Sequence, residues 1–173
     1  MARFEIPLDR KCGQLSGGQQ AQVAFALALG SRPTLLLLDE PLANLDPLAR
    51  NEVMRELLTE VAESGTTVIL STHVVAELGG VADYLLLLAH GKLLVGGDLD
   101  ELLASHSVVA GPRSEKPPVA GEVVRESHHE NQSSFLLKTA DKPVVTAPWT
   151  VRPVSLEDYV LAQLAVTRKG ASA

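Results

Sequence analysis

Three short clusters combine residue types suited to phosphate, metal and water. Leu15-Ser16-Gly17-Gly18-Gln19 places a hydroxyl and two positions without side chains ahead of a helical pattern. The Ser16 hydroxyl can donate to a phosphate oxygen, and Gly17 and Gly18 leave backbone N–H groups open to close approach. A helix N-terminus adds partial positive charge aimed at an anion. Leu35-Leu36-Leu37-Leu38-Asp39-Glu40-Pro41 ends an apolar run in two adjacent acids. Ligands of open parallel sheets gather at the carboxyl ends of strands. One acid there can hold Mg²⁺, usually through water, and its neighbour can orient or deprotonate an attacking water. Ser71-Thr72-His73 follows a second apolar run. A histidine so placed can contact a phosphoryl group and stabilise developing charge. Taken singly, each cluster also has an ordinary reading: a helix cap, an acidic loop start and an incidental histidine.

The elements that must hold these residues alternate between helix and strand. Ser16 to Leu29 predicts a helix that stops at Gly30. Thr34 to Leu38, wholly apolar after Pro33, predicts a strand buried on both faces. Asp46 is placed as an N-cap with Pro47 at the first helical position. Val53, Met54, Leu57, Leu58 and Val61 then share one helical face, and Gly65 is the stop. Thr66 to Leu70 predicts a second buried strand. Tyr84 to Leu88 and Lys92 to Val95 flank a turn at Ala89-His90-Gly91 and predict a hairpin added antiparallel at the sheet edge. Asp98 to Ala104 predicts a short amphipathic helix. This alternation implies an α/β fold with a parallel sheet across residues 1–104.

After Ser105 the chain changes character. Gly111-Pro112 and Lys116-Pro117-Pro118 read as linker. Strands are expected from Val119 to Arg125 and from Ser134 to Lys138, and a terminal helix from Ser155 to Val166, with Glu157 and Asp158 in its first turn. Residues 105–173 are thus expected to form a small α+β extension. His128-His129 reads as an exposed loop, since no Cys or His cluster with ligand spacing surrounds the pair.

Composition narrows the function classes. The chain has 173 residues, 46% hydrophobic but only 3% aromatic, so its core must be built from Leu, Val, Ile and Ala. A formal charge of −6 without a Lys/Arg run disfavours direct nucleic-acid contact. The single cysteine, Cys12, excludes an intrachain disulfide and fits a reducing compartment. No apolar run approaches the ~18 residues of a spanning helix. The start, Met1-Ala2-Arg3-Phe4-Glu5, lacks the layout of a signal peptide. A membrane role is therefore expected only through a partner.

Order and spacing join the three clusters. Ser16 lies 23 residues before Asp39, and Asp39 lies 34 before His73. Over residues 1–104 this constellation resembles the ABC-type ATPases. Leu15 to Gln19 matches the family's signature motif, Leu35 to Glu40 its Walker B strand, Leu42-Ala43-Asn44-Leu45-Asp46-Pro47 its D-loop, and His73 its switch histidine. The resemblance implies a P-loop NTPase-like core that binds ATP with Mg²⁺. It implies that Asp39 helps hold the metal, that Glu40 is the general base and that His73 touches the γ-phosphate. Ser16, Gly17, Gly18 and Gln19 would close over an ATP held mainly by a second ATP-binding subunit in a head-to-tail dimer, with Asn44 and Asp46 along that interface. It also implies a cytoplasmic location, peripheral on the inner membrane face through a membrane-spanning permease. Val154-Ser155-Leu156-Glu157-Asp158-Tyr159-Val160 resembles an ending of exporter ATP-binding subunits.

The departure from the family pattern is equally specific. No Gly-x-x-x-x-Gly-Lys-Ser/Thr occurs among the 173 residues, and Gly91-Lys92-Leu93 is the nearest approach. That loop supplies the phosphate cradle, a lysine and a hydroxyl for Mg²⁺. In the family it lies far upstream of the signature, but only 14 residues precede Leu15. The Q-loop and the adenine-stacking aromatic residue would also lie upstream. The core is expected to be incomplete at its N-terminus, through gene truncation or a misplaced start. It is expected to expose a strand edge, to have marginal stability or depend on another chain, and to be inactive as an ATPase alone. Two other roles remain open: a non-catalytic partner that donates its signature to another subunit's site, and an ABC-type ATPase working outside transport in translation or DNA repair.

Overall fold

Asp46 and Gly65 bracket the longer of the two described α-helices in the first half. In the computed structural model, which describes residues 6–43 and 45–170, helix α2 runs from Pro47 to Ser64. One Asp46 carboxylate oxygen accepts from the backbone N–H groups of Leu48 and Ala49, both at 3.0 Å. Pro47, which has no N–H to satisfy, occupies the first turn. Gly65 ends the helix at φ 69°, and its N–H donates to the Val61 carbonyl. Helix α1, Gly17–Gly30, starts on a capping box. The Ser16 hydroxyl accepts from Gln19 N–H at 3.2 Å, and the Gln19 side-chain oxygen accepts from Ser16 N–H at 3.1 Å.

The chain groups into two compact units, the first ending at Val74 and the second starting at Val75. In the first unit, strands β1 (Leu35–Asp39) and β2 (Thr67–Ser71) pair in parallel, with Leu36 opposite Val68 and Asp39 opposite Ser71. Leu36, Leu38, Val68 and Leu70 face a core with Phe25 of α1 and Val53 and Leu57 of α2. The opposite face is open: Leu35, Leu37 and Ile69 are 49%, 66% and 51% exposed. Burial on both faces, anticipated from the unbroken apolar run, therefore does not hold. Both helices pack on the same face of the sheet, and a strand's side chains alternate between faces. β1 and β2 pair only with each other among the described residues, so both outer edges are open.

In the second unit, β3 (Tyr84–Ala89) and β4 (Lys92–Asp98) form an antiparallel hairpin. His90 and Gly91 have φ of 50° and 72° at its tip, the double left-handed turn that suits the twist of paired strands. The hairpin is a sheet of its own and does not extend the edge of β1–β2. Helix α3, Leu99–Ala104, is capped by Asp98. Strands β5 (His106–Pro112), β6 (Glu122–His128), β7 (Gln132–Lys138) and β8 (Thr150–Pro153) form an antiparallel sheet in the order β6-β7-β5-β8. Helix α4, Leu156–Gly170, follows, with the Ser155 hydroxyl accepting from Asp158 N–H. His128, expected in a loop, is the last residue of β6, and its Nδ1 lies 2.9 Å from the fully buried Ser133 hydroxyl.

Val108 and Leu136 of this sheet share a core with Val154, Tyr159 and Val160, and also with Leu85 of β3 and Leu99 of the helix after the hairpin. The division at Val74/Val75 thus differs from the compositional change after Ser105, because the hairpin and α3 bury their apolar faces with residues of the extension. Val109, Phe135 and Leu137 line the other face with Trp149. Gly111, read as linker, is part of β5, and a Cβ there would stand 2.3 Å from the Trp149 ring. Gly111→Ala is expected to destabilise the second unit by about 1–3 kcal/mol through overpacking. A lowered urea midpoint, followed by fluorescence of Trp149, the single tryptophan, checks this.

Candidate active site at the ends of two parallel strands

The register of β1 with β2 sets Asp39 and Ser71 side by side at the carboxyl end of the first unit's sheet. The Ser71 hydroxyl donates to Asp39 Oδ1 at 2.5 Å. Its proton thus committed, the same oxygen accepts from Glu40 N–H at 3.1 Å, and that N–H also donates to the Ser71 carbonyl at 3.1 Å. Glu40 sits at φ 46°, a left-handed conformation rare for a residue with a long side chain. Such conformations cost on the order of 1–3 kcal/mol and gather at functional sites. Here the two bonds to Ser71 hold it. The turn aims the Glu40 side chain at His73, whose Nδ1 lies 2.7 Å from Glu40 Oε1. With the carboxylate ionised, Nδ1–H donates and leaves Nε2 free. The His73 side chain is 74% exposed and that of Glu40 37%, so both can meet a group from outside.

Asp39 and Glu40, predicted from one signal, and His73, predicted from another, therefore form one cluster with Ser71 as its bridge. Ser71 was legible only as the residue before Thr72-His73. Its bridging role depends on strand register, which a single apolar run does not specify. Ser16 and Gln19 bond to each other at the start of α1, where Ser16 is exposed. Gly17 is exposed, and a Cβ there would meet nothing within 4 Å. Crowding within the chain therefore does not demand a glycine at this position. Asp46 spends one carboxylate oxygen on capping α2. Asn44 lies outside the described residues.

Ser71→Ala is expected to cost about 1 kcal/mol by removing a donor to Asp39 and an acceptor for Glu40 N–H, whereas Ser71→Thr keeps the hydroxyl and a strand-compatible side chain and is expected to be near neutral. Urea unfolding read by far-ultraviolet circular dichroism checks the pair. Faster hydrogen exchange at the Glu40 amide in Ser71→Ala alone would show that the hydroxyl holds the turn.

The family model described as AAA domain (AbiEii toxin, Type IV TA system) matches residues 10–78. The molybdenum import ATP-binding protein ModC of Aromatoleum aromaticum (strain DSM 19018 / LMG 30748 / EbN1) is 42% identical over 101 residues, 58% of this chain and 27% of that protein. The ABC transporter ATP-binding protein YtrB of Bacillus subtilis (strain 168) is 29% identical over 184 residues, 98% of this chain and 61% of that protein. A solved ATP-binding subunit of an ABC transporter superposes with a TM-score of 0.50 at 28% identity, over 55% of this chain and 39% of that structure. The chain thus spans less than two thirds of each. No helix among the described residues is long and apolar enough to cross a membrane. With its motifs in family order, this α/β, P-loop NTPase-like chain is similar to ABC transporter ATP-binding proteins over part of their length.

Proposed function

We propose that the chain supplies the signature and Walker B side of an ABC transporter's ATP site and works in a head-to-tail dimer beneath a membrane-spanning permease. The observation that carries this reading is the meeting of Asp39, Glu40 and His73 at the carboxyl ends of two parallel strands. Glu40, turned outward and partly exposed, is placed to orient and deprotonate a water directed at a γ-phosphate. His73 holds that carboxylate through Nδ1 and presents Nε2 to the phosphoryl oxygens. Asp39 keeps Oδ2 outside its bond to Ser71. This hard oxygen donor suits Mg²⁺, which when bound neutralises charge on the β- and γ-phosphates.

Ser16, Gly17, Gly18 and Gln19 serve a nucleotide held by the partner subunit. Gly17, which the fold does not require to be glycine, keeps the helix tip bare for a phosphate. Asp46, and Asn44 beside it in sequence, border the same interface. Export is the direction we assign, from the segment Val154 to Val160. That segment also has a packing role, because Val154, Leu156, Tyr159 and Val160 are buried in the second unit's core.

The bare helix tip favours a second reading, in which the chain is a non-catalytic partner that completes another subunit's site. Two measurements separate the readings. The purified chain, without a Gly-x-x-x-x-Gly-Lys-Ser/Thr loop, is expected to release no phosphate from Mg-ATP. Magnesium-dependent turnover abolished by Glu40→Gln would overturn that expectation. Mixed with an intact cassette carrying its own phosphate loop, the chain is expected to change that cassette's rate, and Ser16→Arg is expected to remove the effect. Loss of the effect with Glu40→Gln as well favours a catalytic role, and its retention favours the non-catalytic one. An unchanged rate on mixing would refute both.

A further inference from the structure

We propose that His106 is an acid-sensitive catch in the second unit: protonation of its buried Nε2 puts a cation without an acceptor between β5 and α4 and loosens the helix from the sheet. His106 opens β5 directly after α3 and is only 4% exposed. Its Nδ1 lies 2.8 Å from the Leu102 carbonyl and 3.0 Å from the Ser105 hydroxyl. The Ser105 hydroxyl itself donates to that carbonyl at 2.9 Å. A carbonyl can only accept, so Nδ1 carries the proton of the neutral ring, and Nε2 is left with the lone pair. Nε2 is buried with no hydrogen-bond partner among the described residues. An acid proton has no other nitrogen to occupy, and an N–H there would be unsatisfied as well as charged.

The groups facing the ring do not provide a counter-ion in contact. From α4, Tyr159 packs edge-on with ring centroids 4.9 Å apart. Burial raises the Tyr159 hydroxyl above its ordinary value, so it stays neutral, while a bond to the Gln163 side chain opposes that shift. α3 presents the Leu102 carbonyl rather than a charge. From β7, Lys138 stands opposite His106 in register and adds repulsion. From β6, Glu122 is an attractive charge, and it sits across the sheet opposite Lys138. Desolvation dominates and lowers the His106 value from its usual range. The Leu102 bond and Glu122 oppose this, and Lys138 reinforces it.

The sign follows directly. An unfolded histidine takes its proton near pH ~6.5. Below that pH, until the lower folded value is reached, the unfolded chain binds more protons, so stability falls as pH falls. Above it the contribution is constant.

Trp149, the single tryptophan, lies in the second unit and reports on it. In urea titrations of the whole chain, lowering the pH from about 7.5 to about 5.5 is expected to cut the folded-to-unfolded ratio severalfold more in the wild type than in His106→Asn. The asparagine amide keeps a donor for the Leu102 carbonyl and cannot titrate. Equal pH slopes in the two proteins would overturn the proposal. Should His106→Asn not fold, nitrogen NMR of the wild-type histidines decides. The Nδ1–H tautomer is expected to persist at a pH where free histidine is charged, and α4 amides are expected to lose protection as the ring titrates. A ring that charges near pH 6.5 while α4 stays protected would also overturn it.

Discussion

The parallel pairing of β1 with β2 is the constraint on which the candidate site depends. Parallel strands end at the same rim, so the last residues of two segments more than thirty positions apart arrive together. One hydroxyl, that of Ser71, then ties the two: it fixes the Asp39 carboxylate and, through the Glu40 amide, the turn that points the next side chain outward. The left-handed backbone at Glu40 would be unfavourable on its own. Beside Ser71 it is held, and the carboxylate faces His73 instead of lying back along the strand.

α1 and α2 pack against one side of the two strands, where Leu36, Leu38, Val68 and Leu70 meet Phe25, Val53 and Leu57. On the other side of the strands, Leu35, Leu37 and Ile69 are exposed.

Much of this was legible because the signals are local. Asp46-Pro47 and Gly65 mark α2 by capping chemistry, and the structure ends the helix at the same residues. The acids after Leu38 and the histidine after Thr72 each announce a strand end. What sequence reading missed depends on partners distant along the chain. β5 carries a Gly-Pro pair that reads as linker, yet Gly111 is the residue that lets the Trp149 ring lie against the strand. β8 is four residues long and exists by pairing with β5. Whether an apolar strand is covered once or twice depends on where its helices pack, and the run Leu35 to Leu38 reads the same either way. The bridging role of Ser71 likewise needed the register.

The shared core of the second unit has a practical consequence for recombining such proteins. Leu85 and Leu99 pack with Val108, Leu136 and Tyr159, so a crossover placed at Ser105 would join half of one interior to half of another. Exchanging the tail between related subunits would then report mismatched packing as though it were altered specificity. A junction at Val74/Val75, just beyond His73, transfers hairpin, helix and sheet together and leaves the rim of Asp39, Glu40 and His73 with its own strands.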